Sequence, residues 1–363
     1  MNLTYTSMAV VVISFMIALI SIPYIIKWAH RSGKLTQRNH RSSHKLPTPS
    51  LGGVGILLGM AVLIPFLDMT LPMAATCFGV LLLFATGLID DLTEIKAKTK
   101  LLVQVACALL IYFSGLRIEN LHGILGVYEI PGLVSFTLTV LFIVGVTNAF
   151  NLMDGINGLA GIMAIINSAL FGVIFYLNGQ SNFALLAFAL CGGVLGFLRF
   201  NIPKAKIFMG DSGSLFIGLL MGVFVIQTFQ TNTYNELSIS VALVPMFIPI
   251  FDTIRLFATR VMDRKSPMEA DKNHLHHLVI KATSNHTHAT FLIVTLHVLL
   301  LGFVMMVSYF GGELLLNTLI TILLGGVVAF LGLFVFMEVY MKLKRLRAHL
   351  KLLLGNNRLL EKL

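Results

Sequence analysis

The chain has 363 residues, 57% of them hydrophobic and only 12% charged, with a formal net charge of +10. A soluble domain carries charge at about 25% of its positions, so the composition excludes an ordinary water-soluble globule and points to lipid as the solvent. The positive charge does not call for nucleic acid, because basic residues gather on the cytoplasmic flanks of membrane spans.

A spanning helix needs about 20 mostly apolar residues. In chain order, eleven stretches qualify, at about 5–27, 51–68, 72–89, 101–116, 132–150, 159–177, 183–199, 214–230, 237–256, 290–310 and 315–340. The first is too long for a signal-peptide core, and residues 1–8 hold no Lys or Arg, so it reads as a retained span. Between the fourth and fifth spans, apolar residues alternate around Gly123 and Gly126 and predict a small surface hairpin. Cys77, Cys107 and Cys191 all lie inside apolar runs, which argues against a disulfide framework and for small packing residues. The predicted fold is an all-α polytopic membrane protein, with one transmembrane domain over 1–340. A tail over 341–363 alternates Lys and Arg with Leu, as an amphipathic helix on an anionic leaflet does.

Charge gives this topology a test. With eleven spans and the N-terminus outside, the inside connections and the tail collect 25 of the 26 Lys and Arg residues, leaving only Arg117 outside. That asymmetry is the positive-inside pattern. The same connections collect Asp90, Asp91, Asp154, Asp211, Asp252 and Asp271.

Five clusters on that face could carry chemistry. Asp90 and Asp91 adjoin where the third span ends; like charges repel there, and a divalent metal or a lysine would relieve the cost. Asn148, Asn151, Asp154 and Asn157 place four oxygen donors in ten residues, next to Gly155 and Gly158. Hard cations take oxygen ligands, and magnesium prefers one or two carboxylates plus phosphate and water. In Phe208-Met-Gly-Asp211-Ser-Gly-Ser214 the acid sits just before an apolar run, with Ser212 and Ser214 as natural N-caps and backbone N–H groups suited to phosphate. The fourth cluster, Asp271-Lys-Asn-His274-Leu-His276-His277, reads as a phosphate- or sugar-gripping group helped by Arg260, Arg264 and Lys272. It lacks the second pair of ligands that a zinc site needs. His286 and His288 read as loop residues. The fifth is the basic, proline-fixed loop at His44 and Lys45, which opens onto Gly52 and Gly53 and could attract a lipid phosphate.

Together the Asp-Asp pair, NAFNLMDGINGL, FMGDSGSLFIG and HLHH, in this order and on one membrane face, resemble the polyprenyl-phosphate N-acetylhexosamine-1-phosphate transferases. The resemblance implies transfer of a HexNAc-1-phosphate, GlcNAc-1-phosphate first, from a UDP-sugar to undecaprenyl phosphate, with release of UMP. It implies magnesium, with manganese as the alternative, held by Asp211 with Asn151 and Asp154 near it. Asp90 is the group that orients or deprotonates the lipid phosphate, and Asp91 supports metal or substrate. Lys45, Asn148, Asn157, Arg260, His274, His276 and His277 are implied on the substrate side, the three histidines in the donor loop. Many sugar-transfer relatives carry Asp where Asn157 stands, so a carboxylate ligand is not expected there. The implied setting is a bacterial cytoplasmic membrane with the active site on its cytoplasmic face, no nucleic-acid partner, and a homodimer as one of the open assembly states.

Two rival readings differ in kind. Phospho-MurNAc-pentapeptide transfer would use the same machinery on another donor. An ion-coupled transporter would place carboxylates near mid-span within paired repeats, whereas these lie at span ends and no repeat is seen. A CDP-alcohol phosphotransferase would need a run of acids that Asp154-Gly155 does not extend into.

Overall fold

The computed structural model describes residues 3–33, 48–124, 127–230, 241–262, 274–283 and 285–310, with 340, 343–344 and 346–347 near the end of the chain. The predicted last span, most of the basic tail, His44 and Lys45, and Arg264, Asp271 and Lys272 lie outside the described residues.

The described chain is almost wholly helical. Seven helices are long and apolar enough to cross a membrane: α1 (Leu3–Arg31), α3 (Leu71–Thr93), α5 (Gly132–Met153), α6 (Leu159–Leu177), α7 (Ser181–Asn201), α8 (Asp211–Phe229) and α11 (His286–Phe310). They coincide with seven of the stretches expected from hydropathy. Two more expected spans form shorter helices. The second is α2 (Gly52–Met60), which tightens into a 3-10 turn over Ala61–Phe66 as it reaches Pro65; proline has no N–H to continue an α-helical ladder. The fourth is α4 (Ala97–Phe113). The ninth is seen from residue 241, as a 3-10 turn (Val244–Met246) leading into α9 (Phe247–Met262). A short helix, α10 (Leu275–Thr283), precedes α11.

The predicted hairpin is present as β1 (Asn120–Ile124) paired antiparallel with β2 (Val127–Glu129). Beside it Arg117 pairs with Glu119 at 2.7 Å, and Gln230 from the end of α8 donates to the Gly115 carbonyl at 2.7 Å. The three cysteines are free thiols, as their apolar settings predicted.

Helix α8 is the axis of the bundle. Its most apolar window is 94% buried, against 22% for α1, so α8 is walled by protein while α1 keeps an open face. It packs against α2, α3, α5 and α6. Close approach is possible because small residues line the contacts: a Cβ on Gly218 would press on the backbone of Thr147 in α5. Buried polar pairs tie other helices. His297 of α11 and Asn167 of α6 meet at 2.8 Å, and Asn167 donates to the Pro245 carbonyl at 3.1 Å.

Three boundaries differ from the sequence expectation, and each bears on the site. Helix α3 runs past residue 89 through both aspartates to Thr93. Helix α8 starts at Asp211, with Gly210 at its N-cap and no side-chain cap from its own sequence, so Ser212 and Ser214 lie in its first turn and are not caps. His286 and His288 open α11 and are not loop residues.

Candidate active site

Asp90 and Asp91 leave the end of α3 toward different partners. Asp90 Oδ1 accepts the Ile95 N–H at 2.9 Å, and its Oδ2 accepts Lys100 Nζ at 2.7 Å. The same ammonium reaches Asp211 Oδ2 at 2.6 Å. Asp91 instead uses both oxygens on the start of α8, taking the Asp211 N–H at 2.9 Å and the Ser212 N–H at 3.0 Å. A third carboxylate joins from the turn after α5: Asp154 Oδ2 accepts the Gly210 N–H at 3.1 Å. The first N–H groups of a helix lack intrahelical partners, and here carboxylates from α3 and the α5–α6 turn supply them. This corrects the expectation that those N–H groups await a phosphate: the protein's own acids already occupy them.

The chain is built to allow this approach. A Cβ on Gly87 of α3 would sit on the Asp211 carbonyl, so only glycine lets α3 come close enough for Asp91 to reach. Gly210 has φ +75°, and a side chain there would strike the Ser50 carbonyl and the Asp91 carboxylate. The Gly52–Gly53 pair has a related task. Gly52 and Gly53 donate their N–H groups to the Phe208 and Met209 carbonyls, both at 2.9 Å, and Phe208 donates back to Pro49 at 2.8 Å. These glycines pin the segment that carries Asp211; the basic loop before them lies outside the described residues.

The Asn-rich cluster divides by task. Asn151 Nδ2 donates to Asp211 Oδ1 and to Ser214 Oγ, both at 2.9 Å, so it orients the Asp211 carboxylate. Asn148 forms a reciprocal amide pair with Gln104 of α4, at 2.6 and 3.3 Å, and also donates to Val144. Asn157 is buried; its side-chain amide N–H reaches the Pro203 carbonyl at 3.3 Å, its backbone carbonyl accepts the Thr290 hydroxyl at 2.8 Å, and its side-chain Oδ1 is buried without a partner among the described residues. Asn148, expected on the substrate side, thus ties α4 to α5, and Asn157, expected there too, links the α5–α6 turn to the loop after α7 and to α11. Gly158 takes the left-handed conformation (φ +78°) as α6 begins, with its N–H on Asn201.

Lys100 is the site residue that sequence reasoning missed. The Asp-Asp pair predicted that a metal or a lysine would answer it, but Lys96, Lys98 and Lys100 entered only as topology signals. Helical spacing carried a signal. Lys100 and Gln104 continue the stripe of Cys107, Ala108 and Ile111, which is the buried face of α4.

The electrostatics are unbalanced. Asp90, Asp91, Asp154 and Asp211 gather around α8's first turn, and among the described residues Lys100 is the one cation ion-paired with any of them. Burial pushes the Asp154 carboxyl well above the usual carboxylate range, and the charges of Asp211 and Asp91 push the same way against the Gly210 hydrogen bond. Lys100, Asp90 and Asp211 keep 23%, 16% and 24% of their side-chain surface, so an ion or phosphate can reach them. No three acids converge into a ready-made metal cage among the described residues. The donor set still suits magnesium, which takes one or two carboxylates and completes its shell with phosphate and water. Asp211 and Asp154 are the pair that fits. Asn151 acts through Asp211, since its amide nitrogen faces that carboxylate.

The histidine cluster stands on a second support. His274 lies one residue before α10 and is buried, while His276 and His277 are in the first turn of α10. Arg260 is in the last turn of α9. Asp252 of α9 holds the junction, with its carboxylate on His274 Nδ1 at 3.1 Å and on the Leu275 N–H at 3.0 Å.

The glycosyl transferase family 4 model matches residues 73–229, the stretch from α3 through α8. A probable undecaprenyl-phosphate N-acetylglucosaminyl 1-phosphate transferase of Bacillus subtilis (strain 168) is 29% identical over 82% of this chain and 84% of its own length. The undecaprenyl-phosphate alpha-N-acetylglucosaminyl 1-phosphate transferase of Escherichia coli (strain K12) is 30% identical over 83% of each chain. The protein of that name from Salmonella typhi is 29% identical over 76% of this chain. At that identity and coverage, with Asp90, Asp91, Asp154 and Asp211 drawn to one helix start, the chain belongs to the undecaprenyl-phosphate N-acetylglucosaminyl 1-phosphate transferase family.

Proposed function

We propose that this protein transfers GlcNAc-1-phosphate from UDP-GlcNAc to undecaprenyl phosphate, releasing UMP and starting a cell-envelope glycan. The observation that carries the reading is the joint one: family membership, and a Lys100-bridged set of carboxylates at the end of an apolar bundle. An oxygen of the lipid phosphate bonds to the β-phosphorus of the donor. The bond from that phosphorus to the bridging oxygen breaks, and its electrons leave with UMP.

Phosphoryl transfer is mostly positioning and charge neutralisation, and the residues divide accordingly. Asp211 and Asp154 would hold magnesium, which when bound neutralises charge on the diphosphate. Lys100 supplies fixed positive charge between Asp90 and Asp211. Asp90 orients the lipid phosphate; a phosphate monoester is already largely ionised near neutral pH, with a second pKa of about 6, so strong base catalysis is not needed. Asp91 keeps the start of α8 in register with α3. His274, His276, His277 and Arg260 serve the donor, and Lys45 the acceptor.

The wider setting follows the charge asymmetry. Eleven spans, an outside N-terminus, and an active site on the cytoplasmic face of a bacterial inner membrane fit the segregation of 25 of 26 basic residues. Residues 1–340 then form one catalytic membrane unit and 341–363 a basic tail on the inner leaflet, with a homodimer as one assembly. The transporter reading is disfavoured because the acids lie at helix ends.

The test is a purified-protein assay with undecaprenyl phosphate, magnesium and a panel of UDP-sugars, following UMP. Release with UDP-GlcNAc above the other sugars supports the reading, and release from none of the UDP-HexNAc donors overturns it. Release with UDP-MurNAc-pentapeptide alone would move the protein to peptidoglycan synthesis.

A further inference from the structure

Asp252 belongs to none of the motifs that carry the family resemblance, yet it is the most heavily engaged carboxylate in the described structure. It lies on α9, buried, 23 residues before the helix start that it holds. Its Oδ1 accepts Arg255 Nη2 at 2.9 Å and Nε at 3.3 Å, and the Leu275 N–H at 3.0 Å. Its Oδ2 receives the same Leu275 N–H at 3.2 Å and lies 3.1 Å from His274 Nδ1.

Two consequences follow from this geometry. Leu275 opens α10, so Asp252 satisfies an orphan N–H and places negative charge at the positive end of the helix dipole. That fixes where α10 begins relative to α9, and with it the backbone of His276 and His277. An ionised carboxylate can only accept, so the 3.1 Å contact requires the proton on His274 Nδ1. Arg255 makes the ionised form affordable in a buried position.

We propose that Asp252 is a positioning residue of the donor site. It anchors the helix that carries the histidines and sets the tautomer of His274 with Nδ1 protonated, acting on the UDP-sugar through them. This rests on the donor role given to the histidines above. Arg255 and the α10 start make the device one of α9, separate from the acids around α8.

Asp252→Asn keeps the volume and one oxygen for Arg255 and Leu275, but offers His274 an amide N–H, which demands the opposite tautomer. Loss of tautomer control at a carboxylate–histidine pair of known catalytic use is severe. The experiment compares wild type, Asp252→Asn and Asp252→Ala as purified full chains, with UDP-GlcNAc and undecaprenyl phosphate varied separately. For Asp252→Asn the expected result is a rise in donor KM of about tenfold or more, equivalent to about 1.4 kcal/mol of binding, with acceptor KM within about twofold. The ¹⁵N spectrum of histidine-labelled protein, assigned by His274→Gln, should show the His274 proton on Nδ1 in wild type and moved in Asp252→Asn. Donor KM, acceptor KM and kcat all degrading together in Asp252→Asn, with melting temperature lowered, would assign Asp252 to folding alone and overturn the proposal. An unchanged donor KM also overturns it. Wild-type protein that releases no UMP fails the functional reading itself, and Asp252 then loses its donor role even if the spectrum confirms its hold on His274. Asp252→Ala removes both supports, and its donor KM should exceed that of Asp252→Asn; equal values would overturn the anchoring half of the proposal and leave the tautomer alone.

Discussion

Two helix starts in this protein are capped by carboxylates from distant parts of the chain, and their charge balance is opposite. At α8, Asp91 and Asp154 take three backbone N–H groups, and Asp90 and Asp211 stand beside them with Lys100 as the paired cation. At α10, one acid, Asp252, takes one N–H and is met by Arg255 and His274. The second junction is neutralised by the protein and buried. The first is left short of positive charge and partly open. A capped helix start is therefore not in itself an anion site. Where acids outnumber the cations, the same architecture leaves negative charge without a partner among the described residues.

The largest expected effect comes from breaking the unbalanced junction at its centre. Asp211→Asn removes the carboxylate shared by Lys100 and Asn151 and should lower UMP release by about 10²-fold or more, the size seen when one preorganised charge-stabilising group is lost. Added magnesium should not restore it. Full activity in Asp211→Asn would remove Asp211 from the metal assignment.

Next in size is a contrast within one dipeptide. Asp91→Ala strips two N–H groups at the start of α8 of their partner. Losing a cap costs about 1–2 kcal/mol, so its melting temperature should fall together with its activity. Asp90→Asn keeps the fold, because Asp90 caps nothing on α8, and should lose activity at an unchanged melting temperature. Equal thermal shifts in both variants would erase the division of labour between the two aspartates.

Much of this was legible in the sequence, and the failures have one cause. Hydropathy found the long helices because each is a single local property summed along the chain. The hairpin at Gly123 and Gly126 was legible for the same reason. The acids and the asparagines were visible as a group, but not their partners. Asp90 and Asp91 are adjacent, chemically identical and divergent in role, because α3 runs on through both and turns one toward Lys100 and the other toward α8. Nothing local distinguishes Asn148, paired with Gln104, from Asn151, paired with Asp211. Nor does anything local tell that the glycines at 52, 53, 87 and 210 mark places where atoms from a distant part of the chain come too near for a Cβ. The helix start at Asp211 was misplaced because its cap comes from 120 residues earlier in the chain.

A smaller effect tests the charge imbalance from the side of stability. Asp154 has a carboxyl raised above its unfolded value by burial and by Asp211 and Asp91. With a raised pKa in the folded state, its contribution is fully present below the unfolded pKa and is lost as pH rises through the folded one. Metal-free protein should therefore lose thermal stability across that upward window, and Asp154→Asn should flatten the slope. A slope unchanged in Asp154→Asn would show that some other group sets it.

The smallest expected effect concerns Asn148, which the sequence offered as a substrate ligand and the structure pairs with Gln104. Polar pairs between membrane helices contribute about 0.6 kcal/mol on average, so the pair is a modest tie between α4 and α5. Asn148→Leu alone strands the Gln104 amide in an apolar contact and should lower the melting temperature by a few degrees. Adding Gln104→Leu removes both partners and should recover most of that loss. Donor and acceptor KM should stay within about twofold of wild type in the double variant, since packing and not substrate contact is what the pair supplies. If stability recovers while donor KM remains raised, Asn148 touches the UDP-sugar, and the boundary between the site and its scaffold moves from Asn151 one helical turn back into the bundle.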